Sequence, residues 1–154
     1  MVGVIRGPRA DAAGKSVGLR ADMDALPMHE DNEFAHRSVK AGRMHACGHD
    51  GHTTMLLGAA RYLAATRDFD GTVYAIFQPG EEGYAGAREM INDGLFTRFP
   101  ADEVYAHAQL AGAAGRKDRA HARRGDGCGG PRRITMHGRG GHGAHPHLHG
   151  RSGR

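Results

Sequence analysis

The sequence predicts an α/β fold, in which strands of a sheet alternate with crossover helices. Segments of strand-like composition alternate with segments of helical period along residues 1–106. Two polar clusters, at residues 22–24 and 78–82, come directly after predicted strands. Functional groups in such sheets gather at the carboxyl ends of strands, so the clusters agree with the fold. The 154 residues are enough for one domain with a core.

Four segments have the composition of β-strands. Residues 2–5 form a short strand, and a turn rich in Gly, Asp and Ala follows it. Residues 17–22 predict a buried strand that ends in polar groups before Pro27. Residues 72–77 are β-branched and aromatic, and residues 104–106 open a further strand.

Two segments show a helical period. From His52 to about Arg67 the apolar residues recur on one face and predict an amphipathic helix. The members of that stripe are Met55, Leu56, Ala59, Ala60, Leu63 and Ala64. Residues 84–93 predict a second helix, which Gly94 stops and which has Ala87, Met90 and Ile91 on one face. Residues 30–43 are polar and predict a loop.

The charge of the chain is strongly asymmetric. Residues 1–106 carry 11 Lys and Arg against 15 Asp and Glu, whereas residues 107–154 carry 10 against 2. The second part is rich in glycine and histidine and has no apolar run that could be buried. We therefore expect it to be disordered.

The two cysteines and the hydropathy bear on the compartment. A disulfide between Cys47 and Cys128 is conceivable, but Cys47 in a Cys-Gly-His sequence is better interpreted as a ligand in a reducing compartment. The first ten residues have no sustained apolar segment of a signal peptide, and no stretch reaches the roughly 20 apolar residues that span a bilayer. The sequence predicts a cytoplasmic protein with no membrane partner.

Cys47, His49 and Glu82 are candidate metal ligands. Cys47 and His49 are two residues apart, so a turn can direct both at one ion, and sulfur with nitrogen suits zinc, cobalt or nickel. A lone Cys-x-His is more often a buried cysteine beside a surface histidine. Glu82, an oxygen ligand, makes the metal site the favoured interpretation.

Glu81 is the candidate general base, which would take a proton from water and pass it to a leaving nitrogen. The alternative for Glu81 and Glu82 is an exposed helix N-terminus, where acidic residues are stabilised by the dipole. Asp22 and Asp24 are candidates to orient the ligand histidines, or else belong to the turn before Pro27.

Four further histidines of this part of the chain are less informative. His52 could be a ligand, a partner of a ligand, or a polar residue of the first helical turn. The polar loop sequence gives no role to His29, His36 and His45.

Three motifs stand in order along the chain: LRADMDALP at residues 19–27, CGHDGH at 47–52 and FQPGEEG at 77–83. Together they resemble the M20 metallopeptidase family, in the branch that contains hippurate hydrolase, N-acyl-amino-acid hydrolases and auxin-conjugate hydrolases. The resemblance covers residues 1–106 and implies a partial catalytic domain of a zinc-peptidase-like α/β fold. Residues 133–148 resemble the start of the family's inserted α+β lid domain, through which members often dimerise.

The resemblance also implies roles for individual residues. Cys47, His49 and Glu82 match metal ligands, and Glu81 matches the catalytic base. His142 matches a histidine that reaches the substrate across the closed site or from a dimer partner, although it stands in a Gly- and His-rich stretch. The implied reaction is hydrolysis of the amide bond of a small N-acyl amino acid. The implied cofactors are two divalent ions, drawn from zinc, manganese, cobalt and nickel.

The chain departs from the family after residue 106. Members have near 400 residues, so we expect this chain to lack an N-terminal helical segment, most of the inserted domain and a C-terminal part with a further metal-ligand histidine. Where the family expects His-Asn-Trp-Pro-Gly, residues 108–112 are AQLAG, which a one-base shift of suitable codons converts into that motif. A similar shift after residue 148 gives the family continuation. We therefore interpret residues 107–132 and 149–154 as out-of-frame translation, which leaves His107 and Cys128 without a role.

Three functions remain open at this point. The favoured one is a metal-dependent amidohydrolase, and the alternative is a catalytically inactive remnant that still binds a metal ion. Binding of nucleic acid through the basic residues 107–154 is unlikely, because that segment has no aromatic residue for base stacking.

Overall fold

The computed structural model describes residues 1–106 and residue 108, together with two short segments at 138–139 and 151–152. By their backbone contacts, residues 1–120 and residues 121–154 form two separate units. The predicted disorder of residues 107–154, the predicted boundaries within them, the out-of-frame segments and His142 fall largely outside the described residues. Those assignments remain predictions.

Four strands form the sheet of the first unit: β1 (Val2–Arg6), β2 (Ser16–Asp22), β3 (Thr72–Gln78) and β4 (Glu103–Ala106). Their spatial order is β1-β3-β2-β4. Strand β2 runs parallel to β3 and β4, and β1 runs antiparallel to β3. The predicted α/β class and each of the four predicted strands are confirmed, with β1 as an antiparallel edge on an otherwise parallel sheet.

The helices of this unit are α1 (Ala10–Ala13), α2 (His49–Thr66), α3 (Gly86–Asn92) and α4 (Leu95–Arg98). Helix α2 connects β2 to β3 as a crossover, and α3 and α4 connect β3 to β4. The two predicted helices correspond to α2 and α3. Helices α1 and α4 have four residues each, which is too short to show a helical period in the sequence.

Helix α2 begins three residues before the predicted start at His52. Gly48 caps it with a φ of 130°, a backbone conformation that side-chain-bearing residues rarely adopt. The chain thus turns sharply between Cys47 and His49. The first turn contains no apolar residue, so hydrophobic periodicity alone could not locate it.

The core lies between α2 and the central strands. Ala21 of β2, Ala75 of β3 and Leu56 of α2 are buried in contact, and partly buried apolar residues pack around them. These are Leu19, Ala60 and Phe77. Burial of this kind stabilises the fold by roughly 25 cal/mol for each Å² of apolar surface removed from water.

The covered face of α2 is narrower than predicted. Leu56 is buried, and Ala60 and Leu63 are partly buried, but Met55, Ala59 and Ala64 are exposed. The buried line continues toward the N-terminus through His52 and His49. The end of the helix that approaches the strand termini therefore buries polar side chains instead of apolar ones.

Helix α3 is shorter than predicted, and most of its apolar side chains are exposed. It begins at Gly86 because Gly83 and Ala85 both have positive φ values. On its predicted apolar face, Met90 is partly buried whereas Ala87 and Ile91 are exposed. The predicted helix is therefore present, but of the three apolar residues placed on one face only Met90 is covered in part.

The described part of the second unit consists of β5 (Gly138–Arg139) and β6 (Arg151–Ser152), which pair antiparallel. Among all the described residues, no helix has the length and apolar character needed to cross a membrane.

Gly86 offers a test of the packing between α3 and the loop after β3. A Cβ at this position would lie 1.8 Å from the carbonyl oxygen of Pro79, so Gly86→Ala forces backbone apart. We expect it to lower the free energy of unfolding in urea by about 1–3 kcal/mol. Gly58→Ala is the matched control, because a Cβ there meets nothing within 4 Å and should raise stability by up to about 1 kcal/mol. Equal effects of both changes would contradict the described packing.

Candidate metal centre

The two polar clusters meet because β2 and β3 are parallel and end together. Asp22 and Gln78 are register partners at the last position of their strands. The backbone N–H of Met23 donates to the carbonyl oxygen of Gln78 over 2.9 Å, which extends the pairing by one step. The loop after β2 therefore lies beside the loop after β3, as the sequence predicts for clusters at the carboxyl edge.

Asp24 joins these two loops. Its Oδ1 accepts the backbone N–H of Glu81 and its Oδ2 accepts the backbone N–H of Glu82, each over 3.0 Å. Burial acts to raise the pKa of Asp24, but the backbone N–H groups of Glu81, Glu82 and Asp24 itself, together with the nearby His49, outweigh burial and lower the pKa from its usual value. Asp24 is thus an anchored anion that fixes the backbone of both glutamates.

The same residue orients His49, the first residue of α2. Nδ1 of His49 donates to the carbonyl oxygen of Asp24 over 2.9 Å, because a carbonyl can only accept. The proton on Nδ1 leaves the lone pair of a neutral imidazole on Nε2. Three carboxylate oxygens surround Nε2, at 3.7 Å for Asp22 Oδ2, 3.7 Å for Glu81 Oε2 and 3.8 Å for Glu82 Oε1.

Cys47, His49 and Glu82 form one group of donor atoms. A sulfur, a nitrogen and an oxygen from these residues all lie within 4.8 Å of one another. The segment that leads to Cys47 is tied to the loop after β2, because Leu26 and Met44 form an antiparallel bridge. Soft sulfur, imidazole nitrogen and carboxylate oxygen together fit a divalent transition-metal ion such as zinc.

The thiol of Cys47 is protonated when no metal ion is bound. Burial, a hydrogen bond to Glu82 and the charges of Glu82, Glu81 and Asp22 raise its pKa to about 11. A metal ion that binds sulfur must displace this proton, so binding becomes stronger as the pH rises.

A second group shares His49. Donor atoms of Asp22, His49 and His52 also lie within 4.8 Å of one another, and all three residues are buried. Nδ1 of His52 lies 2.6 Å from Asp22 Oδ1, while Arg20 Nη1 donates to Asp22 Oδ2 over 2.8 Å. Arg20 also donates from Nε to Gln78 Oε1 over 2.7 Å.

The structure places the residues singled out in the sequence as follows. Cys47, His49 and Glu82 come together, and Glu81 stands beside them with a side chain that is 45% exposed. Asp22 and Asp24, considered as partners of ligand histidines, contact His52 and His49 respectively. The three loop histidines without an assigned role belong to neither donor group.

Sequence reasoning did not find Arg20 or the placement of His52. Once α2 begins at His49, positions 49 and 52 lie on the same face of the helix. The spacing of three residues could have indicated that His52 lies beside His49. The helix is predicted to start only at His52, so the two histidines were not placed on one helical face.

The fold and the donor groups define an α/β protein with a candidate metal centre, and comparison with known sequences identifies its class. The sequence model of peptidase family M20/M25/M40 matches residues 18–123, more than half of the chain. The chain therefore belongs to this family of hydrolases, which confirms the resemblance described above.

Individual relatives agree. Hippurate hydrolase of Campylobacter jejuni is 44% identical over 146 residues, which are 95% of this chain and 37% of that protein. IAA-amino acid hydrolase ILR1-like 2 of Arabidopsis thaliana is 57% identical over 86 residues, 55% of this chain and 20% of that protein. The chain spans little more than a third of the length of the hippurate hydrolase.

A solved structure has the same fold. The YXEP protein of Bacillus subtilis, described as a dinuclear metal binding peptidase from the M20 family, superposes with a TM-score of 0.64 at 36% identity. The match covers 71% of this chain and 30% of that protein.

The raised pKa of Cys47 predicts slow alkylation. In metal-free Cys128→Ser protein at pH 8, iodoacetamide should modify Cys47 about 10–50-fold more slowly than it modifies the urea-unfolded chain, because little thiolate is present. The rate should rise with pH until the pH approaches the pKa of about 11. Glu82→Gln should accelerate the reaction, and Glu89→Gln, on the exposed side of α3, should not. A folded-state rate equal to the unfolded one would contradict this environment.

Asp24→Asn should weaken zinc binding without unfolding the chain. The amide keeps one acceptor oxygen but presents an NH₂ group to the backbone N–H of Glu81 or Glu82. Displacing these residues should raise the dissociation constant for zinc about 10–100-fold in calorimetric titrations. Asp102→Asn is the control, since Asp102 similarly accepts from Ser16 but at the opposite end of β2. Similar losses in both variants would indicate a general effect on stability.

Proposed function

We propose that this protein is a metal-dependent amidohydrolase that hydrolyses the amide bond of small N-acyl amino acids. The observation that carries the proposal is the position of Glu81, whose Oε2 lies 3.7 Å from Nε2 of His49 while its side chain is partly open to solvent. The hippurate and IAA-amino acid hydrolases named above support the class of substrate, since both names describe N-acyl amino acids.

Cys47, His49 and Glu82 are the residues that would hold a metal ion. Such an ion supplies Lewis acidity, which polarises the carbonyl of the scissile amide. By analogy with the dinuclear Bacillus protein we propose two ions per site, drawn from zinc, manganese, cobalt and nickel. The second ion would need donors beyond the Cys47 group.

Glu81 and Glu82 are adjacent, so their side chains can take different roles, one as a metal ligand and one as a general base. Both backbone N–H groups are held by Asp24, yet Glu82 is less exposed and shares a donor group with Cys47, whereas Glu81 reaches outward. Glu82 therefore suits a ligand and Glu81 suits a base that must meet water and substrate.

Glu81 would carry one proton through the reaction. It removes a proton from the attacking water as the oxygen bonds to the acyl carbon, and it delivers that proton to the nitrogen as the C–N bond breaks. The products are a carboxylate and a free amino acid. His142 remains a proposed substrate contact, on the resemblance alone.

Glu81→Gln separates catalysis from metal binding. With hippurate as substrate and zinc- or manganese-loaded full chain, release of glycine should fall about 100- to 10,000-fold, while the dissociation constant for the metal changes little. Glu82→Gln should weaken the binding of the metal ion. Glu89→Gln should change neither the release of glycine nor the dissociation constant for the metal.

A wild-type chain that binds zinc tightly but releases no glycine, with no effect of Glu81→Gln on binding, would contradict the proposed activity. It would support an inactive metal-binding remnant instead.

A further inference from the structure

His49 stands where two groups of donor atoms meet. One group contains Cys47 and Glu82, and the other contains Asp22 and His52. Nε2 of His49 lies 3.7 Å from Asp22 Oδ2 and 3.8 Å from Glu82 Oε1. Distance alone therefore does not decide which carboxylate shares a metal ion with this nitrogen.

Arg20 makes the two groups unequal. Its Nη1 donates to Asp22 Oδ2, the same oxygen that faces His49, and its Nε donates to Gln78 Oε1. Gln78 is buried at the end of β3, so it holds the planar guanidinium in one orientation. A charge-assisted hydrogen bond from a fixed cation occupies one lone pair of that oxygen and neutralises its charge, so the oxygen becomes a weaker ligand for a metal ion.

The other oxygen of Asp22 is also engaged, through the 2.6 Å contact with Nδ1 of His52. Asp22 is thus held by β2 through Arg20 and by α2 through His52. Among the described residues, no cation contacts Glu82 in the same way, so its carboxylate keeps its capacity to bind metal.

We propose that Arg20 withholds Asp22 from metal coordination and thereby makes metal binding depend on Cys47. The inference rests on the proposed function, because it takes the Cys47 group as the metal site. Arg20 acts here as a positioning residue. This role of Arg20 would set which metal ion the site prefers. A required thiolate favours zinc, cobalt and cadmium, whereas a carboxylate in place of the thiolate would favour manganese and magnesium.

A double-mutant cycle with cobalt(II) tests this role. The chelator-treated full chain, Cys47→Ser, Arg20→Gln and the double variant are titrated, and binding is followed by d–d absorption and by thiolate-to-cobalt charge transfer. Cys47→Ser should weaken cobalt binding about 100-fold or more in the wild-type background, above the usual effect of an outer partner. In the Arg20→Gln background the loss should be less than about 10-fold, because Asp22 replaces the thiolate.

The cycle cancels the general effect of charge. Removal of a positive charge strengthens cation binding in both Cys47 backgrounds, so the cycle compares the Cys47 factor and not the affinity itself. Arg20→Lys keeps the charge beside Asp22 and should retain the wild-type factor. Arg9→Gln is the matched control, because Arg9 forms an exposed salt bridge with Asp70 and contacts no residue of either donor group.

Equal losses on Cys47→Ser in the wild-type and Arg20→Gln backgrounds would overturn the role of Arg20. Circular dichroism checks folding, and Arg20→Met, which removes the same donors, replaces Arg20→Gln if that variant fails to fold. A chain that shows the expected cycle but hydrolyses no N-acyl amino acid would contradict the proposed function and still support this inference. Equal losses with intact hydrolysis would reject the role of Arg20 alone.

Discussion

The carboxylate of Asp24 links the loop after β2 to the loop after β3, and the rest of the site depends on that link. Its two oxygens accept the backbone N–H groups of Glu81 and Glu82, and its carbonyl accepts Nδ1 of His49. One residue thereby sets the positions of a candidate ligand, a candidate base and the histidine between them. Because the bonds run to backbone groups, the glutamate side chains stay available for chemistry.

The site concentrates negative charge around one imidazole. Asp22, Glu81 and Glu82 all place an oxygen within 3.8 Å of His49 Nε2. Like charges at this spacing repel each other, so such an arrangement favours a bound cation. Arg20 neutralises Asp22, on the strand side. Glu82 shares a donor group with Cys47, and a metal ion suits that side of the imidazole.

The fold explains why these groups can be so far apart in sequence. Parallel strands end at the same edge of a sheet, and the crossover helix between them returns its N-terminus to that edge. Gly48 then turns the chain sharply between Cys47 and His49. Three separate segments, at the end of β2, at the start of α2 and after β3, thus contribute the side chains of the site.

Much of this could be predicted from the sequence. Strands β2 and β3 and most of α2 follow from local composition and period, since each depends on residues close in the chain. The motifs grouped Cys47, His49, Glu81 and Glu82 as a candidate metal site, because a thiol, an imidazole and paired carboxylates are the groups that such a site uses. Burial on α2 and α3 was predicted less well: Met55 and Ile91 look like core residues by period, but burial depends on which neighbour a face meets.

Only the tertiary structure decided how the polar groups are shared. The contacts of Arg20 with Asp22 and Gln78, and of Asp22 with His52, join residues that are adjacent across strands or between a strand and a helix. Local sequence carries no record of which of several nearby carboxylates meets a given histidine, because that choice depends on register and side-chain geometry. The sequence by itself determined the elements and the chemistry of the donors, and the packing of β2, β3 and α2 decided their partners.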